Sequence, residues 1–177
     1  MTLDLQPTLI GSLVSLRPLG RSDRDALHLA ASDPLIWEQH PDPLRWRRDV
    51  FDRLFDKLLD SGGALVILDR ADGRVIGTSS YYDLNPVDRS IAIGFTFLMR
   101  TYWGGKFNTE VKRLMLDHAF SVVDRVWFHV GPENRRSQLA MEKVGATFIR
   151  QGEREIGGVR QSFFHYLIER PTPQDQP

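Results

Sequence analysis

The chain has 177 residues, 41% of them hydrophobic and 26% charged, which suits one globular domain able to bury a substantial core. Its 23 basic and 23 acidic side chains cancel, so no global field draws it to nucleic acid or to an anionic membrane. Cysteine is absent, which excludes disulfides, zinc–thiolate sites and a cysteine nucleophile, and no metal site is expected.

Residues 13–19 (LVSLRPL) alternate in polarity and end near a proline, which predicts a short strand. Ser22 with Asp25 three residues on resembles a capping box and predicts a helix through about Ala31, stopped by Asp33-Pro34. Residues 36–43 are irregular and mix Trp37, Glu38 and His40. Asp42-Pro43 predicts the start of a second helix, with Trp46, Val50, Phe51, Leu54, Phe55 and Leu58 as its apolar stripe up to Gly62-Gly63. Residues 64–68 (ALVIL) read as a central strand, Ala71-Asp72-Gly73 as a hairpin turn and 74–82 as the returning strand. Asn85-Pro86-Val87-Asp88 then turns the chain into a strand over 91–99. Next comes Arg100-Thr-Tyr-Trp-Gly-Gly-Lys-Phe-Asn108, a strand–Gly-Gly–helix junction of the kind that aims free N–H groups at a phosphate.

A helix over 107–123 carries Phe107, Val111, Leu114, Met115, Ala119 and Val122 on one side, and 125–130 (RVWFHV) is again a strand, so a parallel crossover is expected. Asn134 predicts the cap of a helix ending at Gly145, and runs at 146–155 and 159–169 flank Gly157-Gly158 as a last hairpin. The expectation is a single α+β (mixed α/β) domain over 1–170, with a disordered tail at 171–177. No basic segment precedes an apolar core at the start, and no apolar run approaches the roughly 18 residues of a spanning helix, so a cytoplasmic location is expected.

Two segments carry a resemblance to the GNAT superfamily of acyl-CoA-dependent N-acetyltransferases. Tyr102-Trp103-Gly104-Gly105-Lys106-Phe107-Asn108-Thr109-Glu110 resembles the family's Tyr-Trp-Gly-Lys-Gly-Tyr-Ala-Thr-Glu stretch. Asn134 through Ala146 resembles the Asn-x-x-Ser…Glu-Lys-x-Gly helix of the RimJ/RimL-type branch, which acetylates protein N-terminal amines. The resemblance covers about residues 10–170 and implies a central twisted mixed sheet of about 6–7 strands with helices on both faces. It also implies acetyl-CoA as cosubstrate and a primary amine as acceptor, with a protein N-terminus favoured and a homodimer through the closing strands.

For the phosphates, the resemblance places Trp103, Lys106 and Asn108 at the loop's key positions; a one-residue shift would also use Gly104 and Gly105 differently, and Phe107 and Thr109 count with them as cofactor-binding. Lys106 reads equally as a phosphate ligand or as a solvated lysine at a helix start. The family's thioester carbonyl is held by a backbone N–H of a bulged strand, and Leu98, Met99 and Arg100 stand at that position. The amide-rich pantetheine arm would then pair like an extra strand between 95–99 and 125–130. Asn134 would cap its helix and bind the cofactor arm, and Ser137 matches the branch's candidate proton donor to the leaving thiolate. Other members carry a tyrosine where Met141 stands, and a glutamate where Ala92 stands, so no general base is evident among Glu38, His40, Asp83 and His129. An α-amine is roughly 10–15% neutral at pH 7 and a lysine well below about 0.1%, so a site lacking a base favours weakly basic amines. The alternatives are a small-molecule amine acetyltransferase, or a non-catalytic acyl-CoA-binding module on the same fold.

Overall fold

The computed structural model describes residues 2–156 and 159–171. The turn foreseen at Gly157-Gly158 and the tail at 172–177 lie outside the described residues. In chain order the elements are β1 (Leu9–Ile10), β2 (Val14–Pro18), α1 (Arg24–Ala31), α2 (Arg48–Asp60), β3 (Ala64–Asp69), β4 (Val75–Asn85), β5 (Ser90–Leu98), α3 (Lys106–Phe120), β6 (Arg125–Val130), α4 (Arg135–Lys143), β7 (Thr147–Ile156) and β8 (Val159–Glu169). The eight strands form one sheet in the order β1-β2-β3-β4-β5-β6-β8-β7, one strand more than the sequence suggests. The extra strand, β1, spans two residues, too few to leave a periodic pattern.

Alternation along β3 shows how the sheet is covered on both faces. Leu65 and Ile67 join one apolar cluster with Val111, Met115 and Ala119 of α3 and Met141 of α4. Ala64 and Val66 point the other way, into a cluster with Leu27 of α1 and Phe51, Leu54 and Phe55 of α2. A strand buried on both sides has to be apolar throughout, which is why 64–68 has no polar residue. Phe51 and Phe55 are both fully buried, a burial worth roughly 1.5–3 kcal/mol each.

Two helix starts differ from expectation. Asp42 does not cap α2: its carboxylate takes the Arg45 guanidinium, Arg47 is extended, and the helix begins only at Arg48. Trp46 therefore stands outside the stripe and is 37% exposed. Near α1 the reciprocal bond comes from Asp23, whose carboxylate accepts the Gly20 N–H at 2.8 Å, so a short 3₁₀ turn over Arg21–Asp23 precedes the helix.

The crossover β5–α3–β6 supplies the sheet's parallel pair, and that pairing is short. Only Ser90↔Arg125, Ile91↔Val126 and Ala92↔Trp127 are in register, although β5 runs on to Leu98 and β6 to Val130. The cause lies on the other side of β5. Between Thr78↔Phe97 and Ser80↔Gly94, three steps of β5 oppose two of β4, and Phe95 takes a left-handed φ of 51°. Such a bulge bends its strand. Here it turns β5 away from β6 and opens the sheet. Among the described residues, no helix is long and apolar enough to cross a membrane.

Candidate active site

The opening between β5 and β6 leads into a cavity of about 540 Å³. Its wall includes Lys57 and Ser61 from the α2 side of the sheet and Asn108 and Lys112 from the α3 side. Since α2 and α3 cover opposite faces, the cavity passes through the sheet at the split. Ser80 Oγ on this wall is buried without a hydrogen-bond partner among the described residues, a group available to a ligand. Gly94 is required beside it, because a Cβ there would come within 2.9 Å of the Tyr82 ring.

At the far end of β5 the chain turns through Arg100–Tyr102 and Trp103 into α3. Gly104 has φ +84°, a conformation costly for any residue with a Cβ, and its side-chain position faces open space. No side chain caps α3, so its first N–H groups and the positive end of its dipole face outward. Beside them is a shallow depression edged by Lys106, Arg113 and Lys143. One step along, Glu110 pins the opposite edge. Its carboxylate accepts N–H bonds from Ser12, Leu13 and Val14 at 2.7–3.0 Å and the Ser12 hydroxyl at 2.6 Å. Burial pushes Glu110 up, and these hydrogen bonds outweigh it, holding the group down at about 2.

Asn134 caps α4 by accepting the Ser137 N–H at 3.1 Å, and both side chains border the cavity. Arg136, which sequence reasoning passed over, lies with its guanidinium 3.9 Å from the Trp103 ring centroid and donates to Ile36 O at 2.7 Å. It ties the start of α4 to the phosphate-ready turn and to the α1–α2 connection.

Lys112, one helical turn after Asn108, is 3% exposed and, among the described residues, has a single hydrogen-bond partner, Thr96 Oγ1 at 2.7 Å, on the bulge of β5. Thr96 in turn meets Ser79 Oγ at 2.7 Å. Among the described residues no carboxylate pairs with Lys112, and desolvation lowers its ammonium to about 7. Sequence reasoning did not single it out. At about 100° per residue it flanks the buried stripe of α3 next to Ala119, which was the available signal.

The four acid–base candidates read from the sequence are occupied. His40 contacts the Asp42 N–H and Arg45, and burial pushes it down to about 3. His129 is likewise lowered to about 3, chiefly by burial. Arg154 can only donate to its Nε2, at 3.2 Å, so Nδ1 carries the proton and donates to the Tyr82 oxygen at 2.8 Å. That order leaves the Tyr82 hydroxyl hydrogen free. Asp83 is ion-paired with Arg154, and Glu38 sits 3.8 Å from Arg136.

One expected site residue is corrected. Of Leu98, Met99 and Arg100, it is Met99 whose backbone N–H is taken, donating to Ile76 O at 2.8 Å, while the Arg100 guanidinium binds Asp33 at 2.7 Å. The bulge lies earlier, at Phe95–Thr96, because the β4–β5 register slips there. Trp103 is also largely committed within the protein, its Nε1 donating to Leu98 O at 2.9 Å under Arg136. Phe107 packs edge-on against Tyr102 at 4.8 Å, and Thr109 Oγ1 bonds back to Gly105 O at 3.3 Å. Gly104, Gly105 and Lys106 form the open turn, and Asn108, Asn134 and Ser137 converge on the cavity.

A family model described as an acetyltransferase (GNAT) domain matches residues 14–147. Among solved structures, the chain is similar to a GCN5-related N-acetyltransferase from Brucella melitensis, with 22% identity, coverage of 93% of this chain and 79% of the other, and a TM-score of 0.79. It is similar to Mycobacterium smegmatis RimJ in complex with CoA-disulfide, at 23% identity, 96% and 90% coverage and a TM-score of 0.72. It is also similar to spermidine N-acetyltransferase from Vibrio cholerae in complex with CoA and spermine, at 21% identity, 90% and 96% coverage and a TM-score of 0.67. At these identities the likeness is one of fold. No curated protein matches the sequence.

Proposed function

Because the chain belongs to the GNAT acetyltransferase family and is an N-acetyltransferase, we propose that it moves acetyl from acetyl-CoA to the α-amine of a peptide or protein N-terminus. The single observation that carries this reading is the split of β5 from β6, with the cavity running through it from one face of the sheet to the other. The cofactor fits what is there. Its diphosphate would sit on the uncapped α3 start at Gly104–Asn108, near Lys106 and Lys143. Its amide-bearing arm would lie along the unpaired part of β5, with Asn134 and Ser137 opposite. Acetyl-CoA supplies an activated acyl group; the protein binds, orients and handles protons. Amides beside the bulge at Phe95–Thr96, together with that of Leu98, are the candidates to hold the acyl oxygen, Met99 N being taken by Ile76 O. Ser137 would hydrogen-bond the departing sulfur.

The acceptor would enter from the α2 side, past Trp37, Tyr82 and Phe97. Of the carboxylates on this wall, Asp42 and Asp83 already hold Arg45 and Arg154, which leaves Glu155. One free carboxylate suits a single ammonium better than a polyamine, which needs several. Lys57 on the same wall opposes a polycation further. The protein's working location would be the cytoplasm. A homodimer would use β7, the sheet's edge, where Phe148 and Ile149 are 50% and 46% exposed.

The test is thiol release from acetyl-CoA against N-terminal peptides, N-blocked lysine peptides, spermidine and amino sugars. Fastest turnover is expected with free N-terminal peptides. Faster turnover of spermidine or of internal lysine would overturn the acceptor assignment, and binding of acetyl-CoA without turnover of any amine would favour the non-catalytic alternative.

A further inference from the structure

We propose that Lys112 is a catalytic residue, its Nζ donating the proton that the coenzyme A sulfur takes up as it leaves. The inference rests on the acetyl-CoA reading above and adds to it a group outside both motif segments that carry the family resemblance. Its grounds are geometric. A lysine is among the side chains least often buried unpaired, because desolvating its charge is costly. Here one is 3% exposed, without a carboxylate partner among the described residues, on the wall of the cavity that crosses the sheet. Among the described residues its one hydrogen bond is to Thr96 on the bulge, where β5 parts from β6.

The position along the helix fits the sulfur rather than the phosphates. α3 starts at Lys106, where the diphosphate would sit, and Lys112 lies roughly 9 Å further along the axis. That places it beside the bulge, where the reacting end of the arm would be.

The chemistry balances without another reactant. As the acceptor nitrogen bonds to the acyl carbon, the C–S bond breaks and its electron pair leaves on sulfur. Lys112 gives one proton to that sulfur and becomes a neutral amine. The acceptor nitrogen must release one proton to become an amide, and that proton restores the Lys112 ammonium. Compared with a serine hydroxyl, an ammonium is the stronger acid and also attracts the developing negative charge. Burial brings Lys112 to about 7, so both protonation states are accessible near neutral pH. Titratable groups on the surrounding strands are Tyr81, Tyr82 and Asp83 on β4, His129 on β6, and Arg154 and Glu155 on β7. Across the split stand His40, Asp42, Arg45 and Lys57, while desolvation is the one cause of the Lys112 shift. On α3 itself, Asn108 and Leu116 are the neighbours one turn away, and both are uncharged.

The experiment titrates the thiol of bound coenzyme A by its ultraviolet thiolate absorbance, in the wild-type protein and in Lys112→Met and Lys112→Gln. Calorimetry confirms saturation in each. A Lys112 ammonium beside the sulfur should lower the bound thiol's pKa by at least about one unit from its usual 8.5, a tenfold or greater rise in the thiolate-to-thiol ratio at a given pH. Both variants should lose that shift while binding coenzyme A as tightly, and should lower kcat about 100-fold or more with little change in KM for acetyl-CoA. Equal thiol titration in all three proteins would overturn the assignment. Loss of coenzyme A binding in the variants alone would also overturn it, whereas failure of the wild-type protein to bind coenzyme A would instead count against the cofactor reading on which it rests.

Discussion

Lys112→Met should make the protein more stable while making it a poorer enzyme, and the size of the gain follows from burial. In the folded chain the ammonium is lowered from 10.5 to about 7, and in the unfolded chain it is not. Each unit of that difference is about 1.4 kcal/mol, so the charge costs on the order of 5 kcal/mol before relaxation reduces it. Methionine has nearly the same length, carries no charge and sits beside Met115 and Phe128 without a desolvation penalty. The expected gain is roughly 2–5 kcal/mol at pH 6, or a rise in Tm of several degrees for a chain this size. The sign depends on pH. Because the folded pKa lies below the unfolded one, wild-type stability rises between about pH 7 and 10.5, where the unfolded chain still binds the proton and the folded one does not. The advantage of the methionine variant is therefore full below pH 7 and fades towards pH 10.5. Urea unfolding at pH 6, 8 and 9.5 measures it. A variant that is less stable at pH 6, or a difference that does not change with pH, would refute the reasoning.

Glu110→Gln should cost about 1–3 kcal/mol in urea unfolding, since the amide cannot accept the bonds from Ser12, Leu13 and Val14 as a carboxylate does. Glu110 itself, held down at about 2, stabilises the fold above its ordinary range, and that stabilisation should drain away as pH falls from about 4.5 towards 2. The glutamine variant should show a shallower acid limb. Gly104→Ala should lose about 1 kcal/mol or less, because the added methyl meets only open space and the cost is that of φ +84°. It should weaken coenzyme A binding in calorimetry by more than it lowers Tm; unchanged affinity would remove this turn from the diphosphate site. Ser137→Ala should lower kcat less than Lys112→Met does, and the reverse ranking would return the proton donor to Ser137.

Much of the architecture could be read from residue pattern. The unbroken apolar run of β3 signals burial on both faces, Asn134 caps α4 as its side chain predicts, and the Gly-Gly turn sits where strand passes to helix. The site's main feature could not be read so easily. The bulge that opens the sheet rests on Phe95 in a left-handed conformation, and an aromatic residue gives no hint of one. Its position is set by the β4–β5 register, a property of two strands together. That is why the sequence could not locate the bulge, and why Met99, whose N–H is taken by Ile76 O, stood among the expected backbone donors. Lys112 was missed because lysine reads as solvent-facing unless its helical angle is set against Ala119 and Met115. The α2 start was misplaced because Asp42 spends its carboxylate on Arg45 rather than on helix N–H groups.

The central claim is that acetyl-CoA occupies the split between β5 and β6, and amide hydrogen exchange with and without the cofactor tests it most directly. The account predicts added protection at residues 94–98 of β5, at 104–108 where α3 begins, and at the end of β6, with β7 and β8 little changed. Protection confined to β7 and β8, or none at saturating acetyl-CoA, would contradict it.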